Sequence, residues 1–245
     1  MDGTVLQITI FLSATFVAAL VAGVTGFAFA LIAAAAWLHV LTPLETATLT
    51  ISYGVIVQGY GAWKLRRAFD WSRIWPFVLG GAPGAAIGAL VLQWANPAHM
   101  RIGIAAFLVL YSIYGLARPE LKPVRAGVVA DTVVGFFGGM LGAMAGFPGI
   151  LVVIWCGLRG WTKDVQRAVF QPAAVALLLM SAMALAATGS ISRHTIELFL
   201  IGLPALLVGT WAGFAFYGRL NEAMFRKIVL MLLLASGVFL IASFR

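Results

Sequence analysis

Residues 22–33, AGVTGFAFALIA, place glycines and a threonine inside a long apolar run, and residues 138–153, GGMLGAMAGFPGILVV, repeat the pattern. Glycine adopts backbone conformations that a helix excludes, and Pro148 fixes φ and lacks an N–H donor. Each stretch therefore predicts a helix that stops and begins again. In lipid such a break is tolerated only where the freed backbone groups face protein or a water-filled cavity.

The composition indicates a membrane protein. Of 245 residues, 62% are hydrophobic and only 10% are charged, whereas soluble domains carry about 25% charged residues. The formal net charge of +8 does not indicate nucleic acid, because the basic residues lie between apolar runs. The single cysteine, Cys156, excludes an intramolecular disulfide, and the N-terminus has no basic region typical of a cleaved signal.

Ten apolar runs predict ten helical membrane passages, since the runs are too long and continuous for barrel strands. Two of them follow the glycine breaks and are short for a span of about 20 residues. The runs are 4–22, 26–41, 46–62, 74–94, 101–117, 126–144, 147–158, 165–188, 195–217 and 226–244.

The basic residues predict the orientation of these runs. The loop KLRRAFDWSR holds the densest basic cluster and is expected in the cytoplasm. Strict alternation then puts 13 of the 16 Lys and Arg inside, and leaves Arg101, Arg193 and Arg245 outside. Both termini are expected outside.

The two halves of the chain align at an offset of about 120. TGFAFAL (25–31) falls on AGFPGIL (145–151), Thr42 falls on Thr162, and Pro83 meets Pro204 at an offset of 121. Five passages per half is an odd number, so the second half is expected upside down. The sequence therefore predicts an all-α polytopic membrane protein with two inverted repeats, residues 1–119 and 120–245, each starting with a broken or re-entrant helix. Inverted repeats are typical of secondary transporters.

The breaks are the first candidate site. A helix that restarts there offers unpaired N–H groups and partial positive charge, which together bind anions. The alternative is close helix packing through small residues. The candidate substrate-binding residues are Thr25, Gly26, Phe27, Ala28 and Phe29 in the first break, and Gly146, Phe147, Pro148 and Gly149 in the second.

Three stretches of the chain resemble the TauE/SafE family of membrane transporters, also called sulfite exporters: 22–33, 138–153 and GLRGWTKDVQRAVFQP at 157–172. The resemblance implies transport of sulfite, small organosulfonates and related sulfur-containing anions across the bacterial inner membrane. Family members often have a more glycine-rich break. Phe29 and Ala30 stand here instead, which indicates a bulkier and more apolar pocket.

Polar residues within the runs are further candidates. Gln171 has an amide that can donate to a sulfonate oxygen, with a helix–helix hydrogen bond as the alternative. Thr50 and Tyr53 are candidates whose alternative is a bond to a backbone carbonyl of their own helix. Asp131 is an acid within an apolar run; it is a candidate proton carrier, with pairing to nearby Arg125 as the alternative.

The expected function is a secondary transporter that exports small sulfur-containing anions by alternating access. No Ser–His, Asp or Glu arrangement points to an enzyme, no His spacing points to a metal, and no cofactor or nucleic acid is expected. The expected partners are a small anion and the lipid bilayer, and the sequence leaves monomer and homodimer open. The alternative function is a carrier or channel for another small organic anion or ion.

Overall fold

The computed structural model describes residues 3–37, 40–92, 106, 109–110, 112–117, 123–145, 149–187 and 192–242. This part of the chain is helical and contains no strand. The helices are α1 (Gly3–Thr25), α2 (Phe29–Trp37), α3 (Pro43–Leu65), α4 (Trp71–Leu92), α5 (Val128–Ala145), α6 (Ile150–Leu158), α7 (Lys163–Ala187), α8 (Arg193–Tyr217) and α9 (Glu222–Ala242). Residues 112–117 are also helical.

Local hydrogen bonds explain where several helices begin and end. Thr42 caps α3 in a reciprocal pair: its hydroxyl accepts from the N–H of Glu45 at 3.3 Å, and the Glu45 carboxylate accepts from the N–H of Thr42 at 2.9 Å. The Ser192 hydroxyl caps α8 by accepting from the N–H of Thr195 at 3.1 Å. At the other end of a helix, Gly26 stops α1 with a φ of +88°, which favours glycine.

The helices α2 and α6 are half-length. Each has nine residues within the described part of the chain, and nine residues rise about 14 Å. That is under half of the roughly 30 Å hydrocarbon core, so neither helix is long enough to cross a membrane by itself.

The chain divides into two compact units that both combine early and late segments. The first contains Met1–Phe69 and Gln171–Arg219, and the second contains Asp70–Phe170 and Leu220–Arg245. The main packing in the first unit is α1 against α8, and in the second it is α4 against α5. In each unit, therefore, a helix of the first half of the chain packs on a helix of the second half.

Glycines bring the backbones of these helix pairs into contact. A Cβ on Gly88 of α4 would lie 2.5 Å from the Met140 carbonyl oxygen, and one on Gly84 would overlap the Phe136 carbonyl. In the first unit, a Cβ on Gly209 would lie 2.6 Å from the Phe16 carbonyl oxygen. Backbone contact of this kind is how membrane helices associate without a hydrophobic driving force.

Apolar side chains cover much of the outer surface. Three helices of the described residues are long and apolar enough to span a membrane: Val5–Thr25, Lys163–Met183 and Arg193–Tyr217. Large apolar side chains are exposed on both units, among them Leu79, Val129, Leu200 and Trp211. This surface suits lipid, which confirms a membrane protein; the count of ten passages stays a prediction.

Candidate functional site

The first break lies between α1 and α2 and is buried. Thr25 and Ala28 have no exposed surface, and Phe27 and Phe29 are 9% and 4% exposed. The Thr25 hydroxyl donates to the Val21 carbonyl at 2.9 Å, and the Gly26 N–H donates to the Ala22 carbonyl at 2.6 Å. These two groups therefore complete the end of α1, and the N–H groups that the helix geometry leaves open belong to the first turn of α2.

Aromatic side chains surround the start of α2. Phe29 meets Trp37 and Tyr53 edge to face, with ring centroids 5.9 and 6.0 Å apart. The Tyr53 hydroxyl donates to the Phe199 carbonyl at 2.8 Å, so it joins α3 to α8 and not to its own helix. This bond gives Tyr53 a role in the core, and its contact with substrate stays a prediction.

Most of the second break lies outside the described residues, namely Gly146, Phe147 and Pro148. Gly149 is described and precedes α6 with φ −96° and ψ −12°. Its carbonyl accepts from the N–H of Val153 at 2.9 Å, which forms the first turn of the helix. A half-length helix therefore follows this break, as one follows the first.

Gln171 is a buried amide in the first unit. It is 1% exposed, and a Cβ on Gly61 of α3 would lie 2.5 Å from its Oε1. The missing side chain of Gly61 thus provides the space that the amide occupies. Two turns away in each helix, Gly54 faces Leu178, whose Cδ1 would lie 3.1 Å from an added Cβ. Glycines on α3 therefore let this part of α7 pack closely.

Asp131 in the second unit is paired with Arg159 and not with Arg125. The carboxylate accepts from the Trp155 indole at 2.7 Å and from the Arg159 guanidinium at 3.3 Å, while Arg125 is exposed. The prediction of Arg125 as the partner was wrong because the end of α6 returns to the start of α5. There the Val124 N–H donates to the Leu158 carbonyl at 2.8 Å, and Arg159 follows directly. The proton-carrier role of Asp131 stays a prediction, and the ion pair favours a structural role.

We expect Asp131→Asn to lower stability while leaving the pH dependence of activity unchanged. Removing one member of a buried ion pair costs about 3–5 kcal/mol, and these side chains are only 7% and 17% exposed. Thermal unfolding in detergent measures the loss. The control is Asp70→Asn, whose pair with Arg73 is about half exposed and contributes about 0–1 kcal/mol. A variant with unchanged unfolding and lost pH dependence supports the proton carrier instead.

Three buried polar residues were not singled out strongly by the sequence. Arg167 has no exposed surface, Thr46 is 4% exposed and Gln58 is 8% exposed. Arg167 precedes Gln171 by four residues in α7, so a basic residue and an amide one turn apart were the available signal. The excess of basic residues on the cytoplasmic side already explains Arg167, so the sequence alone indicates no further role for it.

Comparison with known proteins gives a family and one relative. The chain matches the sulfite exporter TauE/SafE family over residues 11–240. A probable membrane transporter protein of Bacillus subtilis (strain 168), YunE, is 22% identical over 182 residues, which cover 64% of this chain and 63% of that protein. The chain thus spans less than two thirds of that relative's length, and no solved structure matches significantly. With its family match covering nearly the whole sequence, the chain belongs to the TauE/SafE family of membrane transporters.

Proposed function

We propose that the chain is a secondary transporter that exports small sulfur-containing anions, sulfite or organosulfonates, by alternating access between two inverted repeats, residues 1–119 and 120–245. The observation that carries this proposal is the pair of short helices, α2 and α6, each of which follows a glycine-rich stretch of the sequence. Matched, interrupted helices in the two halves are typical of the substrate sites of secondary transporters. No enzymatic activity is expected.

Helix boundaries support the repeat. The short helices α2 and α6 begin at Phe29 and Ile150, and the helices α3 and α7 begin at Pro43 and Lys163. These starts are 121 and 120 residues apart, close to the offset that the sequence alignment predicts. Membrane helices of unrelated origin have no reason to share this spacing over two consecutive elements.

The glycine contacts support the same relation and refine its register. Gly84 faces the Phe136 carbonyl, and Gly209 faces the Phe16 carbonyl. The carbonyl residues are 120 apart, and the glycines are 125 apart. The predicted offset between α4 and α8 is 121 residues. The contacting glycines are four residues further apart than this, which is about one helical turn. The reciprocal packing of α1 on α8 and of α5 on α4 agrees with two interlocked repeats.

Contacts within each unit support the proposed sidedness, with both termini outside a bacterial inner membrane. His194 Nδ1 lies 2.7 Å from a Glu45 carboxylate oxygen, and both residues belong to loops predicted outside. The Lys163 ammonium donates to the Leu220 carbonyl, and both are predicted inside. Each of these pairs joins segments that the charge distribution assigns to one side.

The charges of the buried residues support an anionic substrate. Arg167 is a fully buried cation, and the carboxylate of Asp131 already faces Arg159. Cation sites need acidic or carbonyl-rich linings, whereas the first turn of α2 and the Gln171 amide can donate hydrogen bonds to an oxyanion. The resemblance to the family indicates which anions these are, namely sulfur-containing ones.

Counterflow in proteoliposomes tests the proposal. Vesicles loaded with one unlabelled anion are given the labelled anion outside, using sulfite, isethionate, taurine, sulfoacetate, thiosulfate and sulfate in turn, with and without a proton gradient. Saturable exchange of one or more sulfur oxyanions is expected. Flux without saturation or exchange indicates a channel, and exchange restricted to an unrelated solute contradicts the sulfur-anion assignment.

A further inference from the structure

Two hydroxyls of α3 depart from the usual behaviour of hydroxyls in this structure. Serine and threonine side chains in apolar helices commonly bond to the carbonyl four residues earlier. Described residues that do so include Thr9, Thr15, Thr25, Ser52, Thr132, Ser181 and Thr210. Thr46 and Thr50 do not, and their buried Oγ1 atoms have no hydrogen-bond partner among the described residues.

A third buried atom of α3, Gln58 Oε1, also lacks a partner among the described residues. At about 100° per residue, Thr46, Thr50 and Gln58 lie within about a third of the helix circumference. Gly61 falls inside the same arc and faces the Gln171 amide. One face of α3 therefore carries three unsatisfied polar side chains and the contact to Gln171, all within the first unit.

Leaving such groups unsatisfied is costly. A buried donor or acceptor without a partner costs about 1–3 kcal/mol, and replacing it with an apolar group of the same shape is neutral or stabilising. Valine and leucine are abundant elsewhere in this chain. A ligand that completes their hydrogen bonds would explain polar side chains at these three positions.

We propose that this face of α3, defined by Thr46, Thr50 and Gln58, lines the substrate path, and that Gln58 determines specificity. The inference rests on the proposed function and deepens it. The threonine hydroxyls and the Gln171 amide donate to the oxygens of an anion, whereas Gln58 Oε1 can only accept. The substrate class is therefore an anion that also carries an O–H or N–H donor, such as a hydroxysulfonate, an aminosulfonate or bisulfite.

The spacing along α3 separates two stations. Thr46 and Thr50 are one turn apart, and Gln58 lies about 12 Å further along the helix axis. A small anion spans less than this distance, so it occupies one station at a time. The proposed orientation puts the threonine station toward the outside and the glutamine station toward the cytoplasm.

Competition in counterflow tests the specificity. In the wild type, isethionate, taurine and bisulfite are expected to compete, and the donor-free anions sulfate and thiosulfate are expected to fail. Gln58→Leu is expected to raise KM for isethionate by about tenfold or more, and Thr46→Val and Thr50→Val to raise it as well. The thermal unfolding temperature of all three variants is expected to be unchanged or higher, because each substitution removes an unsatisfied polar atom.

Cysteine labelling tests the path independently of transport. The native Cys156 is buried, so Cys156→Ser provides the background for Thr46→Cys, Thr50→Cys and Gln58→Cys. The probe is the anionic reagent 2-sulfonatoethyl methanethiosulfonate, and isethionate is expected to protect the three positions. The matched control is Ser52→Cys, which points to the opposite face of α3 and is expected to stay unlabelled.

The outcomes separate this inference from the proposed function. Unchanged KM in all three variants, or no labelling at any of the three positions, overturns the path. Wild-type exchange of sulfate as readily as of isethionate overturns the donor requirement while the anion transporter stands. Exchange of no anion by the wild type overturns both, even if the engineered cysteines are labelled.

Discussion

Gly84→Ala is expected to prevent stable folding. Its Cβ would overlap the Phe136 carbonyl of the facing helix, and two packed backbones cannot yield as a flexible side chain can. Overpacking costs about 1–3 kcal/mol and occasionally more, and we expect the upper part of this range or beyond. Size-exclusion chromatography and thermal unfolding in detergent measure the loss, and Gly213→Ala, which meets the Leu20 carbonyl in the first unit, is expected to behave alike.

The matched control is Gly59→Ala. A Cβ on Gly59 of α3 meets no atom within 4 Å, so alanine there is expected to stabilise by about 1 kcal/mol through helix propensity. Equal stability of the Gly84 and Gly59 variants would contradict the direct backbone contact between α4 and α5.

Gly26→Val is expected to abolish transport. Gly26 has a φ of +88°, a region that costs an L-residue about 1–2 kcal/mol and a β-branched one more. Its surroundings are buried, so the added volume displaces the start of α2, from which the proposed site draws its N–H donors. Counterflow is expected to fall to background while size-exclusion chromatography still shows inserted, monodisperse protein.

Two variants control for this result. Gly59→Val adds the same side chain where space is open and is expected to retain transport. Gly146→Val alters the glycine that aligns with Gly26 in the second half of the sequence. Gly146 lies outside the described residues, and this variant is expected to act as Gly26→Val does. Normal transport by both Gly26→Val and Gly146→Val would falsify the site at the breaks.

The backbone plan could be predicted from the sequence because it depends on local signals. Gly26 ends a helix by its own conformation, and Thr42 begins one through a residue three positions away. Hydrophobic runs gave helix positions to within a few residues for the same reason. Small residues recur at neighbouring turns of α4 and α8, so several alignments of these two sequences score alike and the sequence does not decide between them.

Side-chain partners could not be predicted, because they depend on which helices meet. Asp131 pairs with Arg159, 28 positions away, because the end of α6 lies beside the start of α5. Ser52 and Thr50 have similar chemistry and lie two residues apart, yet Ser52 bonds to the Thr48 carbonyl and Thr50 does not. The space for Gln171 depends on Gly61 in another helix, and no spacing within α7 reveals it.

The glycine contacts have a mechanical meaning. Where carbonyl oxygens of one helix sit against the α-carbons of another, as between α1 and α8 and between α4 and α5, neither helix can slide without lifting over its neighbour. Each helix pair is then rigid, and sliding of one helix along the other is suppressed. Motion in a chain built this way is left to hinges, and the segment ahead of α2, where Gly26 breaks the helix, is suited to supply one.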